Sequence, residues 1–153
     1  MDLQGSCACG KVKYGLKSHT PYPYNYCYCS ICRKTNGSGG IGINIMGDNK
    51  SMNIKEGKEL VKVYQSSKSS QRNFCSECGS HLWNYHPEYP DFIYPYASSI
   101  DTELPKPPHV VHLMVKSKAP WARINIEEGD KQFDEYPDQG IEQWHKKNNL
   151  YIE

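Results

Sequence analysis

Residues 21–34 read PYPYNYCYCSICRK, and the fold class turns on this stretch. Tyrosine stands at positions 22, 24, 26 and 28, and cysteine at 27, 29 and 32. A period of two belongs to a β-strand, in which successive side chains point to opposite faces. Tyr22, Tyr24, Tyr26 and Tyr28 are therefore expected on one face, and Cys27 and Cys29 together on the other. A turn through Ser30 and Ile31, with a single helical turn after Cys29, brings Cys32 back beside them. Three thiols then converge where a closed tetrahedral zinc site needs four.

The rest of the chain repeats the period. Short alternating runs rich in β-formers occur at 11–16 (KVKYGL), 41–46 (IGINIM), 61–65 (VKVYQ), 81–85 (HLWNY), 92–97 (FIYPYA) and 109–115 (HVVHLMV). Clusters such as GDNKS, QSSKSS and LPKPPH separate them as turns and loops. The pattern predicts a mainly β, antiparallel domain spanning 1–153 without a linker. The one longer helix is expected over 138–148, with Asp138 as N-cap and Trp144 facing inward.

Composition narrows the partners. The chain has 153 residues, of which 37% are hydrophobic, so something besides packing is expected to help hold the fold. A net charge of +1, without a basic run, gives no field that draws the chain to nucleic acid. No apolar stretch approaches the roughly 20 residues of a membrane span. The N-terminal MDLQGSCACG lacks the charged and apolar regions of a signal peptide. A reducing, cytoplasmic setting follows, in which seven cysteines point to metal rather than disulfides.

The cysteines fall into three motifs: Cys7-Ala-Cys9-Gly10, Cys27-Tyr-Cys29-Ser-Ile-Cys32 and Cys75-Ser-Glu-Cys78-Gly79. The first and third end in glycine, which permits the left-handed turn of a metal knuckle. Cys7, Cys9, Cys75 and Cys78 are thus expected to close one structural zinc site. Cys27, Cys29 and Cys32 are expected to form a second, open and catalytic one. Zinc is the favoured metal, two ions per chain with the second labile; iron competes because four thiolates also hold it. Arg33 and Lys34 follow the middle motif, where their charge would offset three thiolates.

These residues carry a resemblance. Gly5–Tyr14, Cys27–Lys34, Gly37-Ser38 and Asn73–Leu82 resemble the glutathione-dependent formaldehyde-activating enzyme family, which includes the centromere protein V group. Later matches are Ser99-Ile100-Asp101, Pro108–His112 and Trp121. The resemblance implies a β-tent of small coiled sheets, a structural zinc between the first and third motifs, and a catalytic zinc on the middle one. It also implies carbon–sulfur lyase chemistry of the S-(hydroxymethyl)glutathione type, with glutathione or another small thiol as partner. Family members often carry histidine where this chain has Tyr28, a position that alternation turns away from the metal.

An open three-thiolate zinc suits this chemistry. It takes a substrate thiol as fourth ligand, lowers its pKa, and stabilises the departing thiolate in reverse. Three anionic ligands weaken the metal's pull on water, so hydrolysis ranks lower. Candidates for a general acid or base are His109, His112, Asp101 and the tyrosine row. Trp83, Trp121 and Trp144 are expected in the core or a pocket wall. An exposed tyrosine row would also offer a homodimer face. The rival reading is a non-enzymatic zinc module that binds another protein, with both metals holding the fold.

Overall fold

The computed structural model of the chain describes residues 1–36 and 39–153. Gly37 and Ser38, part of the resemblance, lie outside the described residues. The fold is mainly β. In chain order the strands are β1 (Asp2–Ser6), β2 (Lys13–Lys17), β3 (Asn25–Cys27), β4 (Gly42–Ile43), β5 (Gly47–Asp48), β6 (Asn53–Glu56), β7 (Val61–Ser67), β8 (Ser70–Cys75), β9 (His81–Tyr85), β10 (Phe92–Pro95), β11 (Val111–Leu113) and β12 (Lys131–Gln132). Two helices accompany them, α1 (Ser30–Asn36) and α2 (Ile141–Lys147). No helix among the described residues is long and apolar enough to cross a membrane.

The strands form three small sheets, ordered β1-β2-β6, β5-β10-β9-β8-β7 and β12-β11-β3-β4. Most pairings are antiparallel, as the turn-rich sequence predicts. The exceptions are β3 with β11 and β11 with β12, which run parallel. A parallel pair needs a long crossover rather than a turn, and the chain between residues 27 and 111 supplies it by building the second sheet. The QSSKSS segment is more ordered than a loop: Ser67 pairs with Ser70, so it closes a β7–β8 hairpin.

The main core lies between the first two sheets, where Leu3, Tyr14, Leu16, Ile45, Leu82, Trp83 and Ile93 are buried together. Gly5 makes this closeness possible. A side-chain carbon there would sit 2.4 Å from the Tyr14 ring. Cys7 and Cys75 belong to the same core, so the first and third cysteine motifs meet where the two sheets meet.

The tyrosine row packs against the chain's own elements and does not stand exposed as expected; Tyr22 and Tyr26 are half-buried. Tyr24 stacks on Trp144 at 3.7 Å between centroids, Tyr22 tilts against His145, and Tyr26 and Tyr28 pack on His112. Tyr24 and Tyr28 are buried. Trp144 faces inward as expected, but its helix starts at Ile141 behind Gly140, not at Asp138. The Gln143 side chain reaches back to accept from the Gly140 N–H at 3.1 Å, which fixes the start there. Trp83 is core, whereas Trp121 is 62% exposed, contrary to expectation. It lies over Gly40, where a Cβ would be 3.3 Å from its ring.

Candidate metal centres

Two groups of thiols are gathered, and they are the two that motif spacing predicts. The sulfurs of Cys7, Cys9, Cys75 and Cys78 lie within 4.8 Å of one another, as do those of Cys27, Cys29 and Cys32. None of the seven is disulfide-bonded.

In the four-sulfur group, Cys7 and Cys9 come from the turn after β1, while Cys75 ends β8 and Cys78 follows it. Each motif turns as a knuckle. Gly10 N–H donates to the Cys7 carbonyl at 2.9 Å, and Gly79 N–H to the Cys75 carbonyl at 2.8 Å. Both glycines are left-handed, with φ of 73° and 74°. The Val12 N–H donates to Cys7 Sγ at 3.2 Å. Cys7 and Cys9 sulfurs are 3.4 Å apart, and Cys9 and Cys75 sulfurs 3.9 Å. A tetrahedron of zinc–sulfur bonds of about 2.3 Å places its sulfurs ~3.8 Å apart, so the donor set fits such an ion. A hydrogen bond with the Ser80 hydroxyl holds the Cys78 thiol down at about 6, which favours the ligating thiolate. Lys11 and Glu77, one from each knuckle, form an exposed ion pair at 2.8 Å across the group.

The three-sulfur group is built by the end of β3 and the start of α1. Cys29 sits immediately before the helix and caps it: its sulfur accepts from the Cys32 N–H at 3.3 Å. The helix is longer than the single turn expected and carries Cys32 on its buried side. Hydrogen bonds from Cys27 and Cys32, then backbone N–H groups, hold the Cys29 thiol well below its ordinary value. Sharing those hydrogen bonds and being buried, Cys27 is pushed up.

The cation beside this cluster is not the predicted one. Arg33 donates to the Ser117 carbonyl at 3.1 Å, and Lys34 is exposed. Instead Arg72, from β8, brings Nη2 to 3.8 Å from Cys32 Sγ. No local pattern marks it, because the contact depends on how the second sheet docks against α1.

The acid–base candidates are elsewhere. His112 is 2% exposed and accepts or donates at Nδ1 with the Tyr28 hydroxyl at 3.0 Å, its Nε2 lying 3.6 Å from Asp130. Tyr28 is thus turned to His112, as alternation predicts. His109 packs edge-on against Trp144. Asp101 lines a cavity of about 610 Å³ with Lys34, Thr35, Asn36, Cys7 and Cys78. That cavity runs from the end of α1 to the knuckles.

The sequence profile of glutathione-dependent formaldehyde-activating enzymes matches residues 2–117. The chain belongs to this family. A protein of Halomonas elongata, provisionally named a glutathione-dependent formaldehyde-activating enzyme, is 44% identical over 155 aligned positions covering 98% of each chain. A crystal structure of a Rhodobacter sphaeroides protein shares the fold, with a TM-score of 0.54 at 20% identity over 70% of this chain and all of that one. Within the family frame, both cysteine groups and the two knuckle glycines lie inside the matched region.

Proposed function

We propose that the protein is a zinc-dependent enzyme of the carbon–sulfur lyase type, acting on the adduct of a small thiol such as glutathione with an aldehyde such as formaldehyde. The observation that supports this reading is the contrast between the two clusters. Four sulfurs gather in one; in the other three gather, with no fourth Cys, His, Asp or Glu ligand among the described residues. Zinc, when bound at Cys27, Cys29 and Cys32, supplies a Lewis acid that lowers the pKa of a substrate thiol and stabilises its sulfur as the carbon–sulfur bond forms or breaks.

The chain's own contribution is placement. Cys29 is fixed by its cap on α1, Cys32 by the helix itself, and Cys27 by its pairing with Gly42. The cavity beside the end of α1 has the volume of a small-molecule site, although Cys7 and Cys78 line it and the three sulfurs of the open group do not. Lys34 and Asp101 offer it one charge of each sign, which suits a peptide-like thiol bearing both carboxylate and ammonium. Seven unpaired thiols suit a reducing, cytoplasmic setting.

Elemental analysis and calorimetry test this reading. Two zinc ions per chain are expected, one of them removed by mild chelation while the circular dichroism spectrum holds. Glutathione is expected to bind the fully loaded protein, and its analogue with serine in place of cysteine is not. Equal affinity for the two removes direct sulfur coordination. Tight retention of both metals with no thiol binding makes the protein a non-enzymatic zinc module instead.

A further inference from the structure

Arg72 is 6% exposed, and a buried guanidinium is costly unless an anion compensates it. Among the described residues it forms no ion pair with a carboxylate. Its other donors meet neutral hydroxyls: Nε donates to Ser66 Oγ at 3.0 Å, and Nη1 to Tyr96 Oη at 2.9 Å and Thr35 Oγ1 at 3.3 Å. Neutral donors would satisfy those oxygens equally well. The group in reach that calls for a positive charge is the sulfur cluster, through Cys32 Sγ at 3.8 Å.

We propose that Arg72 sets the charge of the three-sulfur cluster, so that its open position accepts an anionic sulfur ligand in preference to a neutral one. This rests on the reading of that cluster as an open zinc site. Three thiolates and a divalent cation sum to one negative charge, and a substrate thiolate adds a second. Arg72 offsets the first before the substrate arrives, which lowers the cost of admitting the second. Charges about 4 Å apart interact strongly even at an effective dielectric of about 20. The three hydroxyl contacts aim the planar guanidinium, a task that the flexible ammonium of lysine performs less well. Thr35 also lines the neighbouring cavity, so Arg72 touches both a residue of that wall and a sulfur of the cluster.

The test is calorimetry of the zinc-loaded protein with three probes: 2-mercaptoethanol and azide, which bind as anions, and imidazole, which binds neutral. In Arg72→Gln, affinity for both anions is expected to fall about tenfold or more, while imidazole stays within about threefold. Tyr96→Phe keeps the packing and removes one aiming hydroxyl; a smaller loss in the same direction is expected, and this variant decides the matter if Arg72→Gln does not fold. Arg72→Lys should restore much of the anion preference. An anion-to-imidazole ratio unchanged in the folded variants overturns the role of Arg72 while leaving the open site intact. A zinc-loaded wild-type protein that binds none of the three overturns both.

Discussion

Cys32 takes up the room that a side chain at position 42 would need. A Cβ on Gly42 would lie 2.9 Å from Cys32 Cβ and 3.3 Å from its sulfur. Gly42→Ala is therefore expected to push Cys32 out of the trio and to weaken metal binding there by about 10–100-fold, read by competition with a chelator, while the four-sulfur group keeps its ion. Gly79 presents the opposite case. Nothing lies within 4 Å of a Cβ there, but φ is +74°, so Gly79→Ala carries only the backbone penalty of about 1–2 kcal/mol. Urea denaturation should show that loss, with the three-sulfur group's metal affinity unchanged. The knuckle glycines were legible because each follows its cysteines directly. Arg72 was not: it meets a cysteine 40 positions away, and adjacency in sequence pointed instead to Arg33, whose guanidinium turns to Ser117. Gly42 was equally hidden, since its need for hydrogen in place of a side chain arises from pairing with Cys27.

Among the elements, α2 carries its own pH response. His145 is fully buried; Nδ1 lies 2.8 Å from the Ile141 carbonyl, and Nε2 accepts from the Tyr22 N–H at 3.2 Å. That pairing requires the neutral ring, and burial holds its pKa below the ordinary value of 6.5. The unfolded chain thus takes up a proton that the folded chain refuses. The stability so gained is complete above the unfolded value and is lost as pH falls from there through the depressed folded value. Acidification from pH 7 toward 5 is expected to loosen α2, seen in the fluorescence of Trp144 as it leaves Tyr24, and His145→Gln should flatten this response relative to wild type. Inward Trp144 was readable from helical spacing, and β9 from its alternating HLWNY. Strands β1, β6 and β8 were not, because DLQGS, NIKE and SQRNFC are polar segments recruited by neighbours rather than by their own pattern. The parallel β3–β11 pair was hidden for a related reason: no turn joins its strands, so nothing local announces it.

Across the whole molecule, the two cysteine groups differ in what they tie together. The four-sulfur group joins the turn between β1 and β2 to the end of β8, and so fastens the three-stranded sheet to the five-stranded one beside the main core. An unfolded chain cannot assemble such a site, so the binding energy of a metal held there, about 10–16 kcal/mol for a structural zinc, would act as folding energy. Cys75→Ser is therefore expected to leave the chain unfolded or insoluble. The three-sulfur group draws on residues 27–32 alone, and closes almost no loop. Its ties to distant segments run through the backbone pairing of Cys27 with Gly42 and Leu113 and through Arg72, which reaches from the second sheet to Cys32. Cys32→Ser should accordingly fold and keep the four-sulfur metal. It should lose about 1–3 kcal/mol, the cost of leaving a buried guanidinium beside a neutral hydroxyl in place of an ionisable sulfur, and fail to retain the labile metal. Urea denaturation with metal analysis of both variants decides the matter. If Cys32→Ser unfolds as completely as Cys75→Ser, the trio is a structural staple and its catalytic reading falls. If it folds and still binds thiol as the parent does, Cys32 is no ligand of the open site.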